Sequence, residues 1–240
     1  MIHQYNIYST GDHAMTISFG NAINIETHEK VMALFHQLTA MELHGVKDVI
    51  PAYTTVTVVY DIQKIRQQTD LNAYEFIYLI VEATLKDLTV KTTEQQCIEI
   101  PVCYDLSFGI DLPAIAEQKK VSVEDIVTIH TSTKYHVYML GFLPGFAYMG
   151  FVDDRIAKAR LTSPRTQVAA GSVGIAGNQT GIYPFDSPGG WNIIGRTPRL
   201  LFDVNKEEPC LLQTGNTVQF ISITKDEFDF IKQQHEHPHH

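Results

Sequence analysis

Residues 162–202 read TSPRTQVAAGSVGIAGNQTGIYPFDSPGGWNIIGRTPRLLF, and this segment decides how the second half of the chain folds. Glycine and proline recur through it at short intervals, at Gly171, Gly174, Gly177, Gly181, Gly189, Gly190 and Gly195 and at Pro164, Pro184, Pro188 and Pro198. In a helix interior, glycine costs about 1 kcal/mol and proline about 3 kcal/mol relative to alanine. The segment is therefore predicted to form loops and short strands.

The same segment carries polar side chains that its turns would bring near one another. They are Arg165, Gln167, Ser172, Asn178, Gln179, Thr180, Tyr183, Ser187, Trp191 and Arg196. Two of them, Arg165 and Arg196, carry planar guanidinium groups, which grip carboxylate or phosphate through paired hydrogen bonds. One interpretation is a site for an anionic or amide-bearing ligand. The alternative is a set of tight turns in a β-barrel, in which the arginines pair with the chain's acidic residues.

The composition is that of an acidic globular protein. The chain has 240 residues, 44% hydrophobic and 19% charged, which is enough to bury a sizeable core in one or two domains. Its net charge of -9 disfavours nucleic-acid binding. The start, MIHQYNIYST, does not have the pattern of a signal peptide, and no run approaches the roughly 18 apolar residues of a membrane span. Its three cysteines show no disulfide or CxxC pattern, which predicts a cytoplasmic protein.

Residues 1–90 are predicted to form a small α/β sandwich domain. Patterns of period 2 and period 3.6 follow one another in the order ββαββα. The predicted elements are strands Ile2–Tyr8 and Ala14–Phe19, helix Asn24–Leu43, strands Val46–Ala52 and Thr54–Tyr60, and helix Leu71–Leu88. This order favours a small sheet with two helices on one face.

A polar stretch, Lys86–Gln96, marks the predicted boundary to a second, β-rich domain at residues 91–234. Besides the Gly-rich segment, its predicted elements are strand Cys97–Tyr104, helices Asp111–Lys119 and Val123–Thr131, strands Lys134–Leu140, Pro209–Leu212 and Thr217–Ile223, and a last helix to about Gln234. The predicted fold class is therefore α+β. The His-rich end, HEHPHH at 235–240, is predicted to be a disordered tail.

Motifs for nucleotide or metal binding do not occur in the chain. A P-loop needs a Gly-Lys dipeptide, which is absent, and the spacing of Gly171, Gly174 and Gly177 is not that of a dinucleotide fingerprint. No Cys or His cluster has zinc-site spacing. Ser172 resembles a nucleophile elbow only loosely, because Ala170 stands where that motif needs glycine. The sequence thus predicts neither a metal nor a nucleotide on this chain.

Single residues near the segment leave two interpretations open. His130 ends a predicted helix, where a neutral imidazole could pass a proton or could equally satisfy helix carbonyls. Aromatic residues near the Gly-rich segment could form a pocket floor or belong to the core: Phe142, Phe146, Tyr148, Tyr183 and Trp191. Tyr183 and Trp191, which turn residues flank, are the better pocket candidates.

Three long motifs stand in the second half of the chain: GFLPGFAYMG at 141–150, SPRTQVAAGSVGIAGNQTGIYP at 163–184 and SPGGWNIIGRTP at 187–198. In their order and spacing they resemble the KipI/PxpB family, long labelled allophanate hydrolase subunit 1. Together they cover most of the C-terminal half. The chain departs from the family pattern at Ala169, where relatives often carry proline, and in YDLSFGIDL at 104–112, where a YGGEFGPDL-like stretch is usual.

The resemblance implies a cyclophilin-like β-barrel after the small α/β domain. It also implies a subunit of the bacterial ATP-dependent 5-oxoprolinase, which opens the lactam of 5-oxo-L-proline to give L-glutamate. Such a subunit is inactive without a KipA/PxpC-like subunit and a LamB/YcsF-like PxpA subunit, and ATP is bound by the complex rather than by this chain alone. By match to the family motif, Arg165 and Arg196 are expected to bind the anion or substrate, with Gln179, Thr180 and Tyr183 lining the pocket. His130, outside these motifs, is a candidate for acid–base catalysis.

Two other functions remain open under the same resemblance. A family member inhibits a sensor histidine kinase, a role that would need an exposed apolar patch. Related domains in urea carboxylase help to bind urea, so a subunit of a urea- or allophanate-type amidolyase is a further alternative. A prolyl isomerase would rest on fold analogy alone.

Overall fold

The chain divides into two compact units, Met1–Glu94 and Gln95–His240, each with its own hydrophobic core. The computed structural model describes residues 5–90 and 97–236. Most of the predicted boundary stretch and most of the predicted His-rich tail lie outside these ranges. The predicted α+β class is confirmed, because a sheet-and-helix unit precedes a closed barrel.

The first unit is a four-stranded antiparallel sheet packed against helices. Its elements are β1 (Asn6–Ser9), β2 (Ala14–Ser18), α1 (Ile25–Ala40), β3 (Val46–Pro51), β4 (Thr55–Tyr60), α2 (Ile62–Arg66) and α3 (Ala73–Lys86). The strand order is β1-β2-β4-β3. Burial alternates along β4, so that Val56 and Val58 point inward and share one core with Leu34 of α1 and Ile77 of α3.

The sequence prediction lacks the short helix α2. Five residues are too few to show a helical period, and what defines this helix is its cap. The Asp61 side chain accepts hydrogen bonds from the main-chain N–H groups of Gln63 and Lys64. Residues 2–4 of the predicted first strand lie outside the described part of the chain, and β1 begins at Asn6.

The second unit is a closed seven-stranded barrel with a separate two-stranded sheet. Its elements are β5 (Cys97–Cys103), α4 (Leu112–Lys119), α5 (Val123–Ser132), β6 (Lys134–Leu140), β7 (Ala147–Gly150), β8 (Arg165–Val168), β9 (Ser172–Ala176), β10 (Gln179–Ile182), β11 (Ser187–Gly189), β12 (Asn192–Arg196), β13 (Thr217–Ile223) and α6 (Lys225–Glu236). The barrel order is β10-β7-β6-β13-β5-β12-β9, and β9 pairs with β10 to close it. The predicted β-barrel is therefore confirmed, and the Gly-rich segment supplies three of its strands and both strands of the small sheet.

One glycine shows how the segment suits this barrel. A Cβ at Gly195 would lie 2.8 Å from Val102 Cγ1 and 2.9 Å from the carbonyl oxygen of Cys103. Real side chains do not tolerate such contacts, so β12 lies this close to β5 only because residue 195 is glycine.

Two predictions about the end of the chain need correction. The predicted strand Pro209–Leu212 is wrong, because this stretch forms only an isolated bridge between Phe202 and Cys210. Two main-chain hydrogen bonds hold it, from the Asp203 N–H to the Pro209 carbonyl oxygen and from the Leu211 N–H to the Leu201 carbonyl oxygen, and they form a bridge rather than a strand ladder. The last helix continues to Glu236, two residues into the predicted tail.

Candidate functional site

A cleft of about 320 Å³ lies in the second unit, beside the two-stranded sheet. Its walls come from β7 and the loop before it, from the approach to β8, and from β11 with the residues on either side of it. The lining residues are Phe142, Phe146, Tyr148, Arg160, Pro164, Tyr183, Pro188, Gly189, Gly190 and Trp191. Its volume is at the lower end of the range for small-molecule pockets.

The floor of the cleft is a cluster of aromatic rings. Phe146 packs edge-on against both Tyr183 and Trp191, with ring centroids 5.3 and 5.4 Å apart. Tyr148 lies 5.9 Å from Trp191. At the rim, Phe142 is 62% exposed and packs edge-on against Phe146. The cleft therefore offers a rigid apolar floor with polar edges.

Tyr183 is a polar group in this floor. Its side chain is only 1% exposed, and a Cβ at Gly189 would collide with its phenol oxygen. Burial raises the pKa of the Tyr183 phenol, although a hydrogen bond from the Trp191 main-chain N–H opposes that shift. Tyr183 is therefore a neutral hydroxyl at physiological pH, able to donate a hydrogen bond.

Arg160 is the cation of the cleft. Its guanidinium lies over Gly190, where an added Cβ would be 3.3 Å from Nη2. Burial raises the pKa of Tyr148, and Arg160 acts against this shift through its charge, as it also does at Tyr183. Among the described residues no carboxylate lies within ion-pair distance of Arg160. Its positive charge is thus uncompensated by a carboxylate at the edge of an aromatic cleft.

Arg165 is engaged elsewhere in the fold. Its Nη2 donates to Asp111 Oδ1 at 2.6 Å, and its Nη1 donates to the carbonyl oxygen of Trp191 at 3.2 Å. The other carboxylate oxygen of Asp111 accepts the main-chain N–H of Ile193 at 2.6 Å. This ion pair ties β8 to the start of α4 and to β12, and the guanidinium is not part of the cleft wall.

Arg196 lies away from the cleft as well. Its Nε donates to the carbonyl oxygen of Ala170 at 2.8 Å, and its guanidinium carbon lies 5.8 Å from the centre of the Phe108 ring. The pKa of Asp186 is lowered mainly by hydrogen bonds from the Ala170 N–H and the Gln167 side chain, and the charge of Arg196 adds a smaller effect in the same direction. Arg196 thus braces the turn before β9.

His130 and Thr180 lie in the barrel core. Thr180 Oγ1 donates to the carbonyl oxygen of Gly174 at 3.1 Å, so it can only accept from His130 Nε2 at 3.0 Å. His130 Nδ1 must then accept the Tyr104 hydroxyl proton at 2.7 Å. Burial lowers the pKa of His130 to about 3, which makes it a neutral imidazole with both nitrogens engaged.

Of the six residues predicted for the site, the structure places Tyr183 in the cleft wall. Arg165 contacts the cleft residue Trp191 only through a carbonyl, and Arg196, Thr180 and His130 lie elsewhere. Gln179 opens β10, opposite Gly150 and Ala176, and is half-buried. These positions do not bring the six residues into one pocket.

Sequence reasoning missed Arg160. It stands just before the Gly-rich segment, and nothing in its immediate neighbours, Ala159 and Leu161, marks it as functional. Its place over Gly190 depends on the fold of both loops. One signal was available, because Arg160 is a basic residue with no acidic residue within five positions on either side.

The described residues contain neither a metal-binding cluster nor a membrane-spanning helix. Across residues 5–90 and 97–236, no group of three His, Cys, Asp or Glu side chains is arranged to hold a metal ion. Within the same ranges, none of the helices combines the length and the apolar character needed to cross a bilayer.

The barrel and its Gly-rich loops define the class of protein. A family model described as carboxyltransferase domain, subdomain C and D, matches residues 5–212. Since the match spans most of the chain, the protein belongs to this carboxyltransferase family. The resemblance to the KipI/PxpB family that the three motifs indicated is confirmed.

Within that family the chain groups with the B subunits of 5-oxoprolinases. The 5-oxoprolinase B subunit from Bacillus subtilis (strain 168) is 39% identical over 238 residues, 98% of this chain and 99% of the relative. Its counterpart from Escherichia coli O157:H7 is 33% identical and covers 89% of this chain and 94% of the relative. The solved structure of TTHA0988 is 34% identical with a TM-score of 0.76, and it aligns with 88% of this chain but only 40% of its own.

Proposed function

We propose that the chain is the B subunit of an ATP-dependent 5-oxoprolinase, which hydrolyses 5-oxo-L-proline to L-glutamate, and that the aromatic cleft binds the lactam. The observation that carries this proposal is the near end-to-end match to the Bacillus subtilis 5-oxoprolinase B subunit. The cleft supports it, because a small ring needs an apolar floor together with a few polar groups that fix its orientation.

In this proposal Tyr183 is the lactam-binding group. A neutral phenol can donate a hydrogen bond to the lactam carbonyl, and the raised pKa keeps the phenol protonated. The same proposal gives His130 a structural role, because both of its imidazole nitrogens are engaged in the barrel core and it does not line the cleft. Arg165 and Arg196 hold the loops that shape the cleft.

ATP is assigned to another subunit of the complex. The chain carries no P-loop and no dinucleotide fingerprint. The partners are then a KipA/PxpC-like subunit and a LamB/YcsF-like PxpA subunit in the cytoplasm. The long TTHA0988 chain, of which this chain spans 40%, is compatible with a unit that works joined to a further one.

The test is glutamate release from 5-oxo-L-proline and ATP, with this protein and its KipA-like and LamB-like partners, omitting each in turn. Activity only in the complete mixture is expected. Absence of activity in every mixture would refute the proposal and favour the kinase-inhibitor or amidolyase alternatives, which rest on family membership alone. Activity that persists without this protein would refute it too.

A further inference from the structure

We infer that Arg160 is the carboxylate-binding residue of the aromatic cleft and makes it selective for a small ring that bears an anionic group. This inference rests on the proposed function for the identity of the ring, 5-oxo-L-proline. Its physical basis is the position and the partners of one guanidinium.

The guanidinium has the surroundings of a binding group rather than of a structural one. It lies over Gly190 and within electrostatic reach of the phenols of Tyr148 and Tyr183. Among the described residues it forms no ion pair with a carboxylate. Arg160 is exposed at the edge of the cleft, and its planar fork of N–H donors matches a carboxylate in a bidentate manner.

The neighbouring arginines cannot take this role in the observed arrangement. Arg165 already pairs with Asp111, and the Arg196 guanidinium packs against Phe108. Neither lines the cleft, and the described residues that do line it include no aspartate or glutamate. An anion that enters the cleft therefore meets one cation and no like charge from its walls.

The geometry also divides the ligand into two parts. Trp191, Phe146 and Tyr183 form the floor where a ring can lie, and Arg160 stands at the edge. A carboxylate at the ring's edge would contact the guanidinium while the ring stays on the aromatic surface. Loss of the carboxylate should then cost most of the affinity.

Trp191 is the only tryptophan of the chain, so its fluorescence reports directly on the cleft. The experiment titrates the purified full chain with 5-oxo-L-proline and with 2-pyrrolidinone, the same ring without the carboxylate. The variants are Arg160→Gln, Arg160→Lys and Arg155→Gln. Arg155 is a matched control, since it is exposed and pairs with Asp153 outside the cleft.

For the wild type and Arg155→Gln, 5-oxo-L-proline should bind at least about 10-fold more tightly than 2-pyrrolidinone. In Arg160→Gln, the affinity for 5-oxo-L-proline should fall by about 10- to 100-fold, and the affinity for 2-pyrrolidinone should stay unchanged. The affinity of Arg160→Lys for 5-oxo-L-proline should lie between those of the wild type and Arg160→Gln, because lysine keeps the positive charge but lacks the planar pair of N–H donors. In the complete three-protein mixture, the KM for 5-oxo-L-proline should rise in the same order, from the wild type and Arg155→Gln through Arg160→Lys to Arg160→Gln.

The outcome separates this inference from the proposed function. Equal affinity and KM for the wild type and Arg160→Gln in an active mixture would overturn the role of Arg160 and leave the function standing. Arg160-dependent carboxylate binding in a protein that supports no oxoprolinase activity would uphold the site and reject the function. The inference would also be overturned if neither 5-oxo-L-proline nor 2-pyrrolidinone showed saturable binding and the Arg160 variants left the KM unchanged.

Discussion

His130 is the centre of a hydrogen-bonded chain that runs from Tyr104 to Gly174 through the barrel core. The imidazole is 0% exposed and stacks on Phe220 with ring centroids 4.5 Å apart. Burial lowers its pKa to about 3, whereas in the unfolded chain the pKa is about 6.5. Between these values the unfolded state binds a proton that the folded state does not.

The unfolding free energy of the second unit should therefore fall as pH drops from about 6.5 towards 3. His130 alone contributes a slope of about 1.4 kcal/mol per pH unit over the inner part of this window. In His130→Gln the slope between pH 4.5 and 6 should be flatter by that amount. Urea unfolding followed by Trp191 fluorescence measures it, because Trp191 belongs to this unit.

Tyr104→Phe provides the control for this titration. It removes the hydrogen bond to His130 Nδ1 but keeps the buried imidazole, so stability should decrease while the pH slope remains. An equal slope in the wild type and His130→Gln would show that the imidazole is not held neutral in the core.

Arg165 is expected to act on stability. Arg165→Ala leaves the Asp111 carboxylate, whose side chain is 12% exposed, without its cation. Because Arg165 is itself 27% exposed, the loss of unfolding free energy should be about 2 kcal/mol, below the value for a fully buried pair. Urea unfolding followed by Trp191 fluorescence again measures this change.

The matched variant is Arg165→Ala combined with Asp111→Asn. It should recover about 1 kcal/mol, since the neutral amide still accepts the Ile193 N–H and no unpaired charge remains. Arg165→Ala with unchanged stability and a large rise in the KM of the three-protein mixture would instead make Arg165 a substrate-binding residue.

At the scale of elements, the turn between β8 and β9 depends on a glycine in the left-handed region. Gly171 has φ +80°, and a Cβ there would collide with the carbonyl oxygen of Thr197. Its N–H donates to the carbonyl oxygen of Tyr183 and its own carbonyl accepts from Thr197, so the backbone cannot easily move away. Gly177, between β9 and β10, has φ +63° but open space at the Cβ position.

Alanine substitution separates these two requirements. Gly177→Ala should lower the unfolding free energy by about 1 kcal/mol, which is the strain of placing a non-glycine residue in the left-handed region. Gly171→Ala should cost about 3 kcal/mol, because the collision with Thr197 adds to that strain. Urea midpoints from Trp191 fluorescence compare the two variants, and equal costs would mean that close packing at Gly171 does not matter.

At the scale of the whole molecule, each unit has the features of an independently folding domain. The first unit contains a complete four-stranded sheet and a core built from β2, β4, α1 and α3. In the second unit β5 and β13 pair in parallel, so the barrel closes without any strand from residues 1–94. Neither core uses residues of the other.

Separate expression of residues 1–94 and 95–240 should therefore give two folded proteins. Each should unfold cooperatively in urea, with an unfolding free energy on the order of 5 kcal/mol. Far-UV circular dichroism follows the first fragment, which has no tryptophan, and Trp191 fluorescence follows the second. A fragment 1–94 without a cooperative transition would show that its sheet depends on the barrel unit.

Local sequence patterns were sufficient for most elements of the fold. The apolar periods of α1 and α3, the β-branched run of β4 and the Ser122–Asp125 capping box of α5 act between residues close in the chain, so the sequence by itself predicts them. The glycines of 162–202 likewise predict short strands and turns. The strand predicted at Pro209–Leu212 failed because a strand needs a continuous ladder with a partner, and this stretch forms only a single bridge, to Phe202.

The site could be predicted only in part, for the same physical reason. Tyr183 and Trp191 stand out locally because turn residues flank them, and both line the cleft. The choice among the arginines depended on contacts that span 26 to 54 positions, such as Arg165 with Trp191 and Asp111. The sequence by itself determined that guanidinium groups surround this segment. The tertiary structure decided that Arg165 is paired while Arg160 faces the cleft, because ion pairing and burial depend on distances that folding alone sets.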